Sequence, residues 1–403
     1  MNNFTKAGIL TFLFSINASA ENNSDILSKV WALGSTKACT LDMRAQFNSA
    51  NFLKLNSQIK SQTNREELES ILNPWLKGLG WSHTQFMAED DEAYYFLKDF
   101  YATDGPETLP IPKLINPGVQ LGHDSSGFFI REVLEGFSAK QAGIRKGDRI
   151  LTWSSNSFNG SWGKSPSEGI LQIDRNGKRR FIKLKTLALD WSEVFLDAMK
   201  NSVRIFNIKG KKIGYIHLWS LVHSSRSVPE LQSIVSSLKP NIQGLILDIR
   251  GGYGGYWGNH LDPFFKNTST YFEEENIESD GKVSIETFKF KINPDPYLGP
   301  LVVITNEGSR SGKEGLAYQF KKSHRAVLVG EKTAGYFVAA QAFFAKDSTD
   351  YILYLCVNRK TLDHNQIEGV GISPDIELPF KAIGSYGDNQ IEKALDVLAQ
   401  PKS

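Results

Sequence analysis

Three short stretches bordered by glycine carry residue types that can do acyl chemistry together. Asn306-Glu-Gly-Ser-Arg-Ser-Gly-Lys-Glu314 offers a serine, Leu79-Gly-Trp-Ser-His-Thr84 a histidine, and Gln366-Ile-Glu-Gly-Val-Gly371 a glutamate. A serine hydroxyl is a weak nucleophile at its own pKa; it needs a base within hydrogen-bond reach and a third group to orient that base. Distance along the chain is no obstacle, because such groups assemble in space from any sequence order. Ser311, His83 and Glu368 are therefore candidates for nucleophile, base and orienting carboxylate.

The elements that must position them can be read from periodicity. Leu301-Val-Val-Ile304 is apolar and β-branched, which predicts a short buried strand. Glu314, Leu316, Ala317, Phe320 and Lys321 repeat at helical spacing. A strand, tight turn and helix in that order lift Ser309 or Ser311 to a helix N-terminus, where free backbone N–H groups and the helix dipole favour developing negative charge. Either serine could equally be a helix cap. A second strand, Gly244-Leu-Ile-Leu-Asp-Ile-Arg250, runs into Gly251-Gly-Tyr-Gly-Gly255. Glycines there let backbone approach a ligand, but the spacing matches neither a dinucleotide-binding fingerprint nor a P-loop, which favours an oxyanion site.

The whole chain has 403 residues, 40% hydrophobic and 22% charged, with a formal net charge of +2. Those values suit a globular protein of two or three domains, and the charge gives no reason to expect nucleic acid as a partner. Lys6, the apolar run Ala7–Ile16 and Ala18-Ser19-Ala20 predict a secretory signal peptide over residues 1–20. Export to the periplasm or the medium, with no stable membrane anchor, is the expectation. Cys39 and Cys356 are open between a disulfide and two buried thiols. No cluster has metal-ligand spacing, and no cofactor is expected.

In chain order, residues 21–113 are predicted mainly helical, with a capping box at Thr63-Asn-Arg-Glu66 and a helix that Pro74 would kink. Glu89, Asp90, Asp91 and Glu92 read as a solvated helix start. Pro106–Pro117 reads as a linker, and residues 114–188 as a β-rich domain whose last two strands join at Asn176-Gly177. Residues 189–403 alternate strand and helix, the pattern of an α/β core, and end in an amphipathic helix over Asn389–Leu398.

Taken together, these segments resemble the tricorn and C-terminal-processing family of serine peptidases. The likeness rests on Leu79–Thr84, on Ser138-Ala-x-x-Ala-Gly-Ile-x-x-Gly-Asp-x-Ile-Leu151, on Leu245–Gly255, on Asn306–Gly335, and on Glu368-Gly-Val-Gly-Ile-x-Pro-Asp375. The resemblance implies a multi-domain α/β fold: a helical N-terminal region, a β-rich PDZ domain, and a catalytic core of the ClpP/crotonase-like type. It implies Ser311 as nucleophile, His83 as base, Glu368 orienting it through Ser82, and an oxyanion hole from Gly312 with Gly254 or Gly255. It also implies that Gly118, Val119, Leu121 and Gly122 of the PDZ domain capture a peptide C-terminus beside a strand. One branch of the family uses a lysine base, but Tyr336 stands at that position here; the tricorn-like branch has the Ser-His pair and Glu that this chain retains. The family's asparagine in the glycine loop is Gly252 here. Lys332 is a rival base, and Lys313 reads as a solvated surface lysine. The expected function is an exported serine endopeptidase acting on polypeptides; the alternatives are a Ser–Lys hydrolase using Lys332 and a non-catalytic peptide-binding scaffold.

Overall fold

The structure, a computed structural model, describes residues 22–89, 91–102, 112–222, 224–256, 258–266, 270–289, 293–343, 351–383 and 385–400. The expected signal peptide, Asp90 and the first half of the expected linker, residues 106–111, lie outside the described residues. The chain divides into two compact units that interleave along the sequence. One takes residues 1–112, 274–286 and 336–369; the other takes 113–273, 287–335 and 370–403. Three consecutive domains were expected from composition, whereas here the N-terminal helices cluster with two later segments, and the β-rich region clusters with the core. No helix of the described residues is long and apolar enough to cross a membrane.

The larger unit is built on a six-stranded sheet ordered Arg204–Ile208, Lys211–His217, Gly244–Asp248, Leu301–Thr305, Val327–Gly330, Ile376–Glu377. Its first pair is an antiparallel hairpin and the remaining pairings are parallel. Gly244–Asp248 and Leu301–Thr305 are buried at every position, as continuous apolar runs in a two-face-covered parallel sheet must be. Each Leu or Ile withdrawn from water there contributes about 1.5–3 kcal/mol. The C-terminal helix Asn389–Ala399 packs Ile391, Ala394, Leu395 and Leu398 onto this sheet. Asp248 lies opposite Ile304 in the register, and Thr305 opposite Gly330. The loops leaving three neighbouring strands therefore emerge side by side at the C-terminal edge, where open α/β sheets bind ligands.

Residues 114–189 form an antiparallel sheet of Val119–Asp124, Gly127–Val133, Arg149–Trp153, Glu168–Arg175 and Lys178–Lys185 over a core that includes Val119, Ile130, Ile150, Leu171 and Ile173. The strands Leu114–Asn116 and Leu187–Leu189 pair with each other and close the region at its ends. Asn176 and Gly177 both have positive φ, 56° and 75°, which gives the tight turn expected from that dipeptide.

The other unit packs the helices Asn23–Lys37, Leu41–Gln46, Ser49–Asn56 and Arg65–Gly78 against the long strand Tyr351–Leu362. Gln85–Ala88 pairs antiparallel with that strand. The capping box belongs to Asn64 and Glu67, one residue later than the sequence pattern suggested, because the Thr63 hydroxyl accepts instead from the Lys60 N–H at 2.9 Å. A disulfide joins Cys39 to Cys356 inside this core.

Candidate active site

The chain leaves Leu301–Thr305 through Asn306, a buried residue whose side-chain oxygen accepts from the Gly308 and Gly251 N–H groups. Ser309 is fully buried; its hydroxyl donates to the Ile249 carbonyl at 2.9 Å and accepts from the Asn306 N–H. Its single hydrogen is thus spent on backbone, so Ser309 is a strut between the two loops. Ser311 is half-buried and sits at the N-cap of Gly312–Lys322 with φ 55° and ψ −128°. A left-handed φ at a non-glycine residue costs about 1–3 kcal/mol and persists only where its surroundings fix it. Here the Glu314 carboxylate does so. It accepts from the Ser311 N–H at 3.2 Å, and from the Thr333 hydroxyl and Gly335 N–H at 2.7 Å each. This is a strand-to-helix elbow that exposes a serine at the edge of a sheet.

The glycine loop opposite it is tied at both its N–H and its carbonyl groups. Its Gly251 N–H donates to Asn306, the Gly252 N–H to the Gln120 side-chain oxygen at 2.7 Å, and the Tyr253 N–H to the Trp219 carbonyl. The Gly254 carbonyl accepts from Leu221, and Arg310 donates to the Gly252 carbonyl while its guanidinium lies over the Tyr253 ring. Among the described residues, no protein acceptor takes the N–H of Gly254, Gly255 or Gly312. The Cβ that an alanine would carry at 254 falls 2.6 Å from the Ser311 Cβ, and at 312 it falls 2.1 Å from the Gly255 carbonyl oxygen. The three unbonded amides thus belong to backbone packed directly around Ser311, and only glycine permits that approach. Gly252 carries φ 60°, and a Cβ there would fall 1.9 Å from the Trp219 carbonyl oxygen, so the family's asparagine has no room in this loop. Behind the loop, Arg250 binds Asp248 at 2.6 Å and Asp388 at 2.8 Å. Burial alone would raise the Asp248 carboxyl, but the guanidinium charge beside it prevails and holds it well below the usual range.

Lys313 is the clearest correction to the sequence reading. It is fully buried rather than solvated, and its Nζ donates to the Trp219 carbonyl at 2.8 Å and the Gly251 carbonyl at 2.9 Å. Burial lowers its pKa from 10.5 to about 7. Helical spacing assigned position 313 no face because the first turn of a helix lies against whatever loop precedes it. Lys332 is exposed.

In the smaller unit, Asn73 holds Phe86 through both its backbone N–H and its carbonyl, which fixes the loop 79–84 between a helix and a paired strand. His83 takes φ 54° there. Glu368 accepts from the Ser82 N–H at 2.7 Å, the Ser82 hydroxyl at 2.8 Å and the Phe337 N–H at 2.6 Å. The Ser82 Oγ lies 2.9 Å from His83 Nδ1. A carboxylate only accepts, so the hydroxyl's one hydrogen goes to Glu368 and its lone pair accepts a hydrogen bond from Nδ1–H. In the neutral ring that places the hydrogen on Nδ1. Tyr354 packs on the imidazole with ring centroids 5.3 Å apart, and Tyr336 stands edge-on at 6.4 Å. Ser82, His83 and Glu368 are thus brought together in one unit, and Ser311, Gly312, Gly254 and Gly255 in the other.

Of the residues expected to capture a peptide terminus, Gly118 and Val119 already donate their N–H groups to the Asn116 side-chain oxygen, at 2.7 and 2.8 Å. Leu121 and Gly122 lie on Val119–Asp124, an edge strand of its sheet. Gln120, on the same strand, is the residue that reaches the glycine loop, a role that no sequence motif signalled.

Residues 212–378 match the family model described as peptidase family S41. The carboxy-terminal processing protease CtpB of Bacillus subtilis is 25% identical over 295 residues, covering 70% of this chain and 58% of the relative. The carboxyl-terminal-processing protease of Synechocystis is 29% identical over 204 residues, covering 47% and 44%. The chain spans about half the length of these curated relatives. Among solved structures, the photosystem II D1 C-terminal processing protease aligns with TM-score 0.55 at 19% identity, over 95% of this chain and 98% of that one. Mature CPAF complexed with lactacystin aligns with TM-score 0.56 at 14% identity, over 94% and 97%. At those identities the two structures speak for the fold alone, and the matched segment and relatives say what the chain resembles: over residues 212–378 it is similar to peptidase family S41, and its sequence relatives are C-terminal-processing proteases.

Proposed function

We propose that this chain is an exported serine endopeptidase that cleaves polypeptides through an acyl-enzyme, with Ser311 as nucleophile and His83 as base. The observation that carries the reading is the bond sequence from Glu368 through the Ser82 hydroxyl to His83 Nδ1, which orients the ring as a general base needs. In the proposed reaction His83 Nε2 takes the Ser311 proton as Oγ bonds to the scissile carbonyl carbon. The imidazolium then gives that proton to the leaving amine as the C–N bond breaks, and a water hydrolyses the ester by the same route in reverse. Glu368 balances the transient imidazolium charge through Ser82. Gly312 with Gly254 or Gly255 donates N–H groups to the oxyanion, in keeping with the absence of acceptors for those amides among the described residues. Apart from Gly312, the helix start lends its dipole to the same charge.

The signal peptide of residues 1–20 supports export. For substrate, the names of the relatives point to processing near a carboxyl terminus. Terminus capture in the β-rich region would need a carboxylate to displace Asn116 from the Gly118 and Val119 amides, whereas simple strand addition along Val119–Asp124 would not.

The test is cleavage of casein and a fluorogenic peptide by the chain from residue 21, beside Ser311→Ala and His83→Ala. Both variants should fall at least 10³-fold, on the scale of triad deletions. Full activity in His83→Ala would sink the assignment of the base, and equal fluorophosphonate labelling of wild type and Ser311→Ala would sink that of the nucleophile.

A further inference from the structure

We propose that Lys313 is a positioning residue for the oxyanion loop: its buried Nζ ties the Gly251 and Trp219 carbonyls together and so fixes the Gly254 and Gly255 amides beside Ser311. The proposal rests on the peptidase reading above, and on three features of the larger unit that belong together.

The first is the loop's conformation. Gly251 and Gly252 are both left-handed, with φ 57° and 60°, so the chain reverses over two residues that have no side chain to hold them. Glycine is the most mobile of residues in the absence of such constraints, so the turn needs external ties. The second is the arrangement of those ties. N–H groups of the loop are held by Asn306, Gln120 and the Trp219 carbonyl. The carbonyl side is held by Lys313 at Gly251 and Arg310 at Gly252. Arg310 at 3.3 Å is a long contact on a half-buried side chain, whereas Lys313 at 2.9 Å is wholly enclosed. The same Nζ also binds the Trp219 carbonyl, which accepts the Tyr253 N–H as well. One atom therefore joins the start of the glycine loop to the strand end that its middle rests on.

The third feature is the position of Lys313 in the sequence, two residues after Ser311 in the first turn of the helix. The nucleophile and the tether of the loop that would hold its oxyanion are thus parts of one rigid turn. A shift of either moves the other with it. Enclosing a lysine without a carboxylate partner in hydrogen-bond contact is unfavourable, as its lowered pKa registers. Asp248 and Glu132 attract the charge from the sheet and the β-rich region, while Arg310 opposes it. A methionine of the same length would fill the space without that penalty, so stability is a poor reason for the lysine to be there.

The experiment is Lys313→Met in the full mature chain, read by kcat and KM on a fluorogenic peptide, by melting temperature, and by amide hydrogen exchange over residues 250–256. The expected result is a kcat lowered 10- to 100-fold with KM within threefold, an unlowered melting temperature, and faster exchange in the loop. That range follows from the 10²–10³-fold effect of losing one oxyanion donor outright. A kcat within threefold of wild type, or a loop whose exchange is unchanged, overturns the proposal. If wild type itself neither cleaves nor labels with a fluorophosphonate, the peptidase reading fails, and the exchange measurement still decides whether Lys313 holds the loop. Should the methionine variant fail to fold, Lys313→Gln retains an N–H donor on a shorter stem. A kcat between one-tenth and one-third of wild type, at unchanged KM and with faster loop exchange, then supports the tether, and a kcat within threefold of wild type or unchanged exchange overturns it.

Discussion

Glu368 shows how much chemistry a single acceptor can direct. Its two oxygens take three hydrogens, from the Ser82 N–H, the Ser82 hydroxyl and the Phe337 N–H. Replacing it with glutamine turns one oxygen into a donor facing donors. Glu368→Gln should lower kcat by about 10²–10⁴, as when a triad's orienting carboxylate becomes an amide, and reduce stability by roughly 1–3 kcal/mol for the unpaired buried groups. Steady-state kinetics and urea unfolding on the same preparation would check both. Lys313 makes a prediction of opposite character. Its folded pKa near 7 lies below its unfolded value of 10.5, so between those values the unfolded chain binds more protons and the unfolding free energy rises with pH. The stability of wild type relative to Lys313→Met should therefore climb from pH 7 to pH 10. Urea midpoints at pH 7, 8 and 9 would reveal it, and a flat difference would contradict a buried lysine.

At the scale of elements, the strand, elbow and helix around Ser311 were legible because each local rule agreed: an apolar β-branched run, a glycine-bordered turn and a helical repeat. The sheet strand Gly244–Asp248 was legible for the same reason. The choice between Ser309 and Ser311 was not, since both precede the helix and only the Ile249 carbonyl, sixty residues earlier in the chain, decides which serine is spent on backbone. The helix cap at Asn64 was misplaced by one residue, because both Thr63 and Asn64 are capping types with a glutamate three positions on. Gly252 yields the prediction proper to an element. Its φ of 60° and the Trp219 carbonyl oxygen, 1.9 Å from where a Cβ would stand, leave no space for a side chain. Gly252→Ala, and equally Gly252→Asn, should displace the loop and lower kcat by about 100-fold, the scale expected of a 1 Å misplacement in a site. Wild-type kcat in Gly252→Asn would show that the loop tolerates the family's residue after all.

Over the whole molecule, the two compact units are each assembled from three separated segments, so neither could be delimited by reading composition along the chain. The smaller unit is fastened by Cys39–Cys356 across 317 residues of sequence. The Cys356 N–H also faces the Thr84 hydroxyl at 3.5 Å, which puts the bridge next to the His83 loop. Replacing both cysteines with serine should lower stability by about 2–5 kcal/mol, the usual range for a native disulfide. Denaturant unfolding of the double variant would measure this; an unchanged midpoint would mean the buried apolar contacts around the bridge suffice without it.

By itself the sequence determined the α/β class, the strand–elbow–helix carrying Ser311 and the glycine loop. All of these follow from local periodicity and from residues within a few positions of one another. Tertiary structure alone decided that Cys39 meets Cys356, that Ser309 is a strut and that Lys313 is buried beneath the glycine loop. Each of those outcomes depends on which distant backbone carbonyl or thiol arrives beside a side chain, and partners 60 to 317 residues away leave no periodic signal in the chain that carries them.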